Sequence, residues 1–277
     1  MTKVNKNLEL KAAINDYCQK KGISKKELSV LIGVNGAYLS KIENEKFDEV
    51  SAEVITKVRT AINLRVVTDT FQTADFASAF RQCDHTRENK LMTAVIADTG
   101  MGKTTSLRAY SMRENVFFVQ VSKSMSAKRL FLAILREMQI VFDGNIHDVI
   151  LKIAETLNRI ESPLLILDEA GKLNHSMILY LHDLRESTKE NCGIILSGMP
   201  YFKTNLQKYS NKQKEGYAEF MRRVNIWHEF RGLSRKEIDF ICAQYGLLGK
   251  TYYGLRFGDL MNRILLEQVL GVLPYSE

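Results

Sequence analysis

The 277-residue chain is predicted to be an α/β protein: a small all-α module, then a core built on a parallel sheet flanked by helices, then a short helical lid. Three observations predict this. The stretch "AVIADTGMGKTTSL" (94–107) runs from apolar residues through a glycine-containing turn into Lys-Thr-Thr and a helix-forming segment. "SPLLILDEAGKLN" is an apolar run, Leu164 to Leu167, that ends in Asp168-Glu169. In the first sixty residues two short helical periods are joined by a glycine-containing turn, the pattern of a helix-turn-helix. The expected boundaries are 1–63 for the helical module, 64–232 for the core and 233–277 for the lid.

Composition narrows the class. With 45% hydrophobic residues the chain can bury a sizeable core. No run approaches the roughly 18 apolar residues of a membrane span, and no apolar block follows "MTKVNKNLEL" as in a secretory leader. Cys18, Cys83, Cys192 and Cys242 form no CxxC pair and read as reduced packing residues of a cytoplasmic protein. A net charge of +7 favours a polyanionic partner, though weakly. Only three prolines occur, so the chain is expected to be rich in helix.

The helical module reads in order. "LELKAAINDYCQKKG" puts Leu10, Ala13, Ile14 and Tyr17 at helical spacing and stops at Gly22. Ser24 can cap the next helix, with Glu27 completing a capping box. That helix carries Leu28, Leu31 and Ile32 and ends at Gly33. A second helix runs from about Asn35 to Asn44 with Leu39 and Ile42 inward, and "VSAEVITKVRTAI" supplies a closing amphipathic helix. The frame Leu28–Gly33–Leu39–Ile42–Glu43 resembles the repressor-like helix-turn-helix family. In such modules the second helix enters the major groove. The resemblance therefore implies that Asn35, Gly36, Ala37, Tyr38, Ser40 and Lys41 face double-stranded DNA. The competing reading is a protein-interaction module of the same shape. Lys25, Lys26, Lys41 and Lys46 are opposed by Glu43, Glu45, Asp48 and Glu49, which suits a weak reader better than a tight one.

The core begins with a connection and then a helix bearing Phe76, Ala79 and Phe80. "KLMTAVIADTG" follows, and its Met92, Ala94, Val95 and Ile96 mark a strand buried on both faces. The loop Ala97-Asp98-Thr99-Gly100-Met101-Gly102-Lys103-Thr104 then sits between strand and helix, the context of a phosphate-binding loop. Successive backbone N–H groups and the helix start would hold the phosphates of ATP. Ala97, Thr99, Gly100, Met101, Gly102, Lys103, Thr104 and Thr105 are the candidate nucleotide contacts. Gly102 lets the backbone approach, Lys103 neutralises the β/γ oxygens, and the Thr104 hydroxyl ligates Mg2+. Ala97 stands where the usual pattern has glycine, and it serves if its φ is negative. The alternative is an ordinary Lys-Thr helix start after a turn.

A nucleoside triphosphatase also needs a carboxylate at the end of a neighbouring strand to hold the magnesium shell, and a group that orients the attacking water. Asp168 fits the first role, through water, and Glu169 the second. "NCGIILSGMP" is a further buried strand. "EGYAEFMRRVNIW" holds Arg222 and Arg223 near a helix end. Arg223, with Arg222 as alternate, is the candidate arginine supplied across a subunit interface; otherwise both are surface residues of an amphipathic helix.

Taken in order, helix-turn-helix, Ala97–Thr104 loop, Asp168-Glu169, "GIILSG", Arg223 and Arg256 resemble the AAA+ ATPases of DNA transposition, in particular the phage Mu transposition protein B family. The resemblance covers nearly the whole chain. It is strongest in "LLILDEAGKLNHSMILYLHDLREST" and "GMGKTTSLRAYSMRENVFFVQVSKSMS". It implies an ATP-dependent DNA-binding ATPase that forms helical filaments or rings on duplex DNA and directs a transposase to its target. It implies a polar sensor beyond "GIILSG", where Met199 stands here and Ser197 is the substitute. It further implies that Arg256 in "GLRFGDLMNRILLE" aims at the nucleotide, with Asp259 bracing its helix and Arg263 as alternate. The implied DNA-facing residues of the core are Lys123, Ser124, Lys128 and Arg129, which could otherwise be a solvated helix start. "YFKTNLQKYSNKQKEG", with Lys203, Lys208, Lys212 and Lys214, has no strong apolar period and is expected to be an exposed loop that tracks phosphates or is merely solvated. Two other functions remain open: a nucleotide-gated transcription regulator, and a signalling or defence NTPase whose N-terminal module binds protein.

Overall fold

The computed structural model describes residues 10–270 apart from 13, 16, 20–22, 52–53, 56–57, 59–70, 246 and 248–251. The expectations at Ala13, Gly22 and the 63/64 boundary lie outside the described residues. The chain divides into two compact units, Met1–Thr70 and Phe71–Glu277.

The described residues of the first unit form helices and turns. Helical residues at 10–12, 14–15 and 17–19 precede α1 (Lys25–Leu31) and α2 (Gly36–Glu43). The expected capping box is present: Glu27 N–H donates to Ser24 Oγ at 3.2 Å, and Ser24 N–H donates to Glu27 Oε2 at 2.7 Å. These bonds lower the pKa of Glu27, the Ser24 backbone amide first. Just beyond α1, Gly33 takes φ 66°, a conformation that closes a helix and favours glycine. Asn35 then caps α2 by accepting from Ala37 N–H at 2.9 Å. Leu10, Ile14, Cys18, Leu28, Leu39, Ile42, Phe47, Val50 and Val58 close one apolar core.

The second unit is a five-stranded sheet in the order β2-β3-β4-β1-β5, parallel throughout. In chain order it runs α3 (Ala74–Glu88), β1 (Met92–Ile96), α4 (Lys103–Tyr110), β2 (Val116–Gln120), α5 (Ala127–Glu137), α6 (Ile146–Arg159) and β3 (Leu164–Asp168). Then come α7 (His175–Thr188), β4 (Gly193–Gly198), α8 (Pro200–Asn211), α9 (Tyr217–Arg223), β5 (Ile226–Glu229), α10 (Arg235–Gln244) and α11 (Phe257–Leu270). β1, β3 and β4 are buried along their whole length, which is why they read as unbroken apolar runs. Alternate strand residues serve two layers. Ala94, Leu165, Leu167, Ile194 and Leu196 pack against α5, α6, α7, α8 and α9. Val95, Ile166 and Ile195 pack against α3 and α4. The lid helices α10 and α11 share a separate cluster around Ile238, Ile241, Leu260 and Ile264.

One expectation fails. The lysine-rich segment after β4 is not a loop but the twelve-residue helix α8. Pro200 starts it, where its missing N–H costs nothing. Only Phe202 and Leu206, one turn apart, are buried. Two anchors are too few to show a period in sequence, yet they suffice when the helix lies on α9 and the sheet layer.

Candidate functional site

The strand ends define the site. In a parallel sheet all carboxyl ends open on one rim, where ligands bind. The loop after β1 lies there. Gly100 and Gly102 take φ 79° and 87°, and Gly102 is the N-cap of α4 with no side-chain cap. The first N–H groups of α4 are thus left for an anion. Ala97 does not adopt a positive φ and buries its methyl in the α3–α4 layer, so glycine is not needed at that position. Thr99, Gly100 and Thr105 are exposed, while Met101, Gly102 and Thr104 are half-buried.

Lys103 is nearly buried, and its Nζ donates to the carbonyls of Ala97 at 2.6 Å and Asp98 at 2.9 Å. Burial pushes its pKa down; the charges of Asp168, Glu169 and Asp98 push back. Thr104 Oγ1 donates to Asp168 Oδ2 at 2.7 Å. Asp168 is 1% exposed, and its other oxygen, Oδ1, has no hydrogen-bond partner among the described residues. A buried carboxylate with a spare oxygen, beside a hydroxyl and an ammonium, is the hard-oxygen donor set that magnesium uses when phosphates supply the other ligands. The residues therefore fit Mg2+. No group of three or more His, Cys, Asp or Glu poised for a metal occurs among the described residues, and a phosphate-bound magnesium does not require one. Asp168 stands one strand further away than expected, because β4 lies between β3 and β1.

Glu169 follows β3 in the left-handed region, φ 60°, and lies 3.5 Å from Lys172 Nζ. Six other described non-glycine residues, among them Lys90 and Gln139, share this region, so the conformation alone does not mark a function. Gly171, two residues on, lies under the Tyr201 ring, which a Cβ would meet at 2.7 Å. Ser197 is fully buried in β4, and its Oγ has no partner among the described residues. Met199 lies past the strand as the N-cap of α8 and accepts a hydrogen bond from Thr99 Oγ1 at 3.5 Å through sulfur.

The lid start rests directly on this loop. Gly258 N–H donates to Gly100 O at 2.6 Å, and Arg256 Nη2 lies 3.1 Å from Asp98 Oδ2. Sequence reasoning placed Arg256 near the nucleotide but missed Asp98 as its partner. It also missed Asp75. This buried carboxylate in the first turn of α3 accepts from Arg231 N–H at 2.9 Å and Gly232 N–H at 2.8 Å, gripping the link between β5 and the lid. An acid two residues after a Thr cap was the one available signal, and it reads the same as ordinary helix-dipole placement.

Other candidates lie away from the loop. Arg223 Nε is 2.5 Å from Glu186 Oε1. It ends α9 two residues before Asn225, whose N–H donates to Met92 O at the start of β1. Arg223 thus sits at the amino-end rim, about 17 Å of strand away from the loop of its own chain. Arg222 beside it is exposed. In the first unit Asn35, Gly36, Ala37 and Ser40 are exposed and Tyr38 is half-buried. Lys41 pairs with Glu49 at 3.1 Å, Lys11 with Glu45 at 2.8 Å, and Lys25 with Glu43. Lys123, Ser124, Lys128 and Arg129 are exposed beyond β2, and Lys128 lies 3.5 Å from Asp143. All four cysteines are buried, and no described helix is long and apolar enough to cross a membrane.

Residues 86–206 match the family described as AAA domain, and residues 13–69 match the Cro/C1-type HTH DNA-binding domain. No curated protein matches the chain in sequence. Similar solved structures include the Aeropyrum pernix ORC2 protein in its ADPNP–ADP complexes, at 12% identity and a TM-score of 0.53, over 75% of this chain and 67% of that one. The Aeropyrum pernix ORC1 protein in complex with DNA matches at 14% identity and a TM-score of 0.48, over 65% and 50%. The Walker-type ATPase of Pyrococcus abyssi matches at 13% identity and a TM-score of 0.44, over 70% and 73%. The chain thus spans half of that ORC1 chain and two thirds of the ORC2 chain. At 12% identity the ORC2 likeness speaks to the fold. The chain thus carries a stretch similar to a Cro/C1-type helix-turn-helix domain and a stretch similar to an AAA domain, and its parallel sheet with flanking helices is an AAA+ P-loop fold.

Proposed function

We propose that this chain is an ATPase that couples nucleotide binding to assembly on duplex DNA. The observation that carries the reading is the Thr104–Asp168 contact beneath a loop with two left-handed glycines and a buried lysine. The backbone N–H groups around Gly102 bind phosphate oxygens, and the Lys103 ammonium moves from the Ala97 and Asp98 carbonyls onto them. Magnesium, held by Thr104 and through water by Asp168, supplies charge neutralisation to the β- and γ-oxygens when bound. Glu169 orients the attacking water and accepts its proton. Ser197 offers its unpaired hydroxyl to the γ-phosphate, and Arg256 exchanges Asp98 for it. Because Arg223 lies on the rim opposite its own loop, it serves a neighbouring copy. Assembly then multiplies weak phosphate contacts from α2 and from Lys123, Ser124, Lys128 and Arg129 into firm binding.

In its most specific form, the protein is a homo-oligomer, filament or ring, that presents target DNA to a transposase in the cytoplasm. The test is electron microscopy and footprinting with ATP and linear duplex. The expected result is protection that lengthens with protein concentration, lost in Lys103→Ala and longer-lived in Glu169→Gln. Nucleotide-independent DNA binding in the Lys103 variant would remove the coupling. Protection of one palindromic site alone would make the chain a transcription regulator, a reading favoured by the exposed, well-capped α2.

A further inference from the structure

The helix that replaced the expected loop has a use of its own. No Asp or Glu occurs between Glu190 and Glu215, and α8 lies inside that window. Lys203, Lys208 and Lys212, with Thr204, Gln207 and Asn211 among them, line one open groove of about 630 Å³ bounded by Met221 of α9. Lys208 and Lys212 are exposed and make no ion pair among the described residues. They stand one turn apart, roughly 6 Å along the axis. Lys203 is held at 3.5 Å by Glu229, and Lys214 lies over the rings of Tyr209 and Tyr217 at 5.0 and 5.3 Å. Lys203 is thereby paired as three lysines of the first unit are, whereas Lys214 is ordered by ring contacts and keeps its charge. Acids do border the patch, at Glu215, Glu219 and Glu229, but none lies on α8.

The first unit is different. Its Lys11, Lys25 and Lys41 are each held by a glutamate, which leaves Lys26 and Lys46 exposed without an ion pair among the described residues. A major-groove reader with few unpaired lysines gains affinity from backbone contacts elsewhere, because phosphate contacts dominate DNA affinity.

We propose that the groove between α8 and α9 is a further nucleic-acid surface, distinct from α2 and from the Lys123–Arg129 segment, which takes the phosphodiester backbone of duplex DNA on Lys208 and Lys212, with Thr204, Gln207 and Asn211 as neutral donors. A lone phosphate would favour converging backbone N–H groups; an open row of lysines with interleaved donors suits a string of charges. The proposal rests on the reading of α2 as a DNA reader, since a tethered second contact raises affinity without a tight site on either part.

The test is anisotropy of a labelled random-sequence duplex against the full-length chain over a salt series. Lys208→Glu/Lys212→Glu is expected to weaken binding at least tenfold at low salt. It should also flatten the slope of log K against log salt by about 2, close to 0.9 per lost phosphate contact. Melting temperature and binding of a fluorescent adenine nucleotide should match the parent, which separates the effect from misfolding. A double variant with parental affinity and slope would overturn the α8 surface while leaving DNA binding in place. No binding by the parent chain would overturn both readings. Loss of binding without a change in slope would also count against direct phosphate contact.

Discussion

At Ser197 the proposed function would explain a cost to the fold. Its hydroxyl is fully buried in β4 and lacks a partner among the described residues. An unsatisfied buried polar group costs about 1–3 kcal/mol. Ser197→Ala is therefore expected to leave the melting temperature unchanged or raise it, while slowing ATP turnover in a steady-state assay. A variant with lower stability and parental turnover would show that the hydroxyl is structural. Lys103 is the converse case. It already bonds two carbonyls, so Lys103→Ala should remove nucleotide binding, and reduced thermal stability alone would not support its phosphate role.

At the scale of elements, the seam between the β1–α4 loop and α11 brings two backbones into direct contact. A Cβ at Gly258 would stand 3.0 Å from Gly100 Cα and 3.1 Å from its oxygen, both backbone. Gly258→Ala should force the lid off the loop, a cost of about 1–3 kcal/mol as for other overpacking. Limited proteolysis should then cut α10–α11 faster than in the parent; equal rates would mean that the seam yields easily. This seam was invisible in sequence, because Gly100 and Gly258 are 158 positions apart and each alone reads as a turn residue. What could be read were local signals: the Ser24–Glu27 box, the Asn35 cap, the apolar runs of β1, β3 and β4, and the Gly102-Lys103-Thr104 turn. What could not were elements fixed by neighbours. β5 is a half-buried edge strand with no apolar run, and α8 has two anchors. The Asp75 grip on Arg231 and Gly232 likewise spans 156 and 157 positions.

The second unit as a whole should be sensitive to acid. His228, in β5, bonds Ser78 Oγ of α3 at 2.9 Å. Burial lowers its pKa below the ordinary 6.5, helped by Arg81 and Arg231 and opposed by Asp75. As pH falls below about 6.5 the unfolded chain takes up a proton that the folded chain resists, so stability falls. The melting temperature should drop between pH 7.5 and 5.5, and His228→Gln should shrink that drop; an equal drop would assign it to other groups. The parallel sheet has a last consequence for any titration of this molecule. Its loops share one rim, so the segment bearing Lys123 and the turn around Gly102 are three strand spacings apart, about 14 Å. That exceeds the roughly 8 Å over which ions damp a field at physiological salt, but not the roughly 30 Å at 0.01 M. Crosstalk between the two ligands measured in dilute buffer will therefore mix long-range Coulomb forces with true mechanical linkage, and only the part that survives added salt reports on moving pieces.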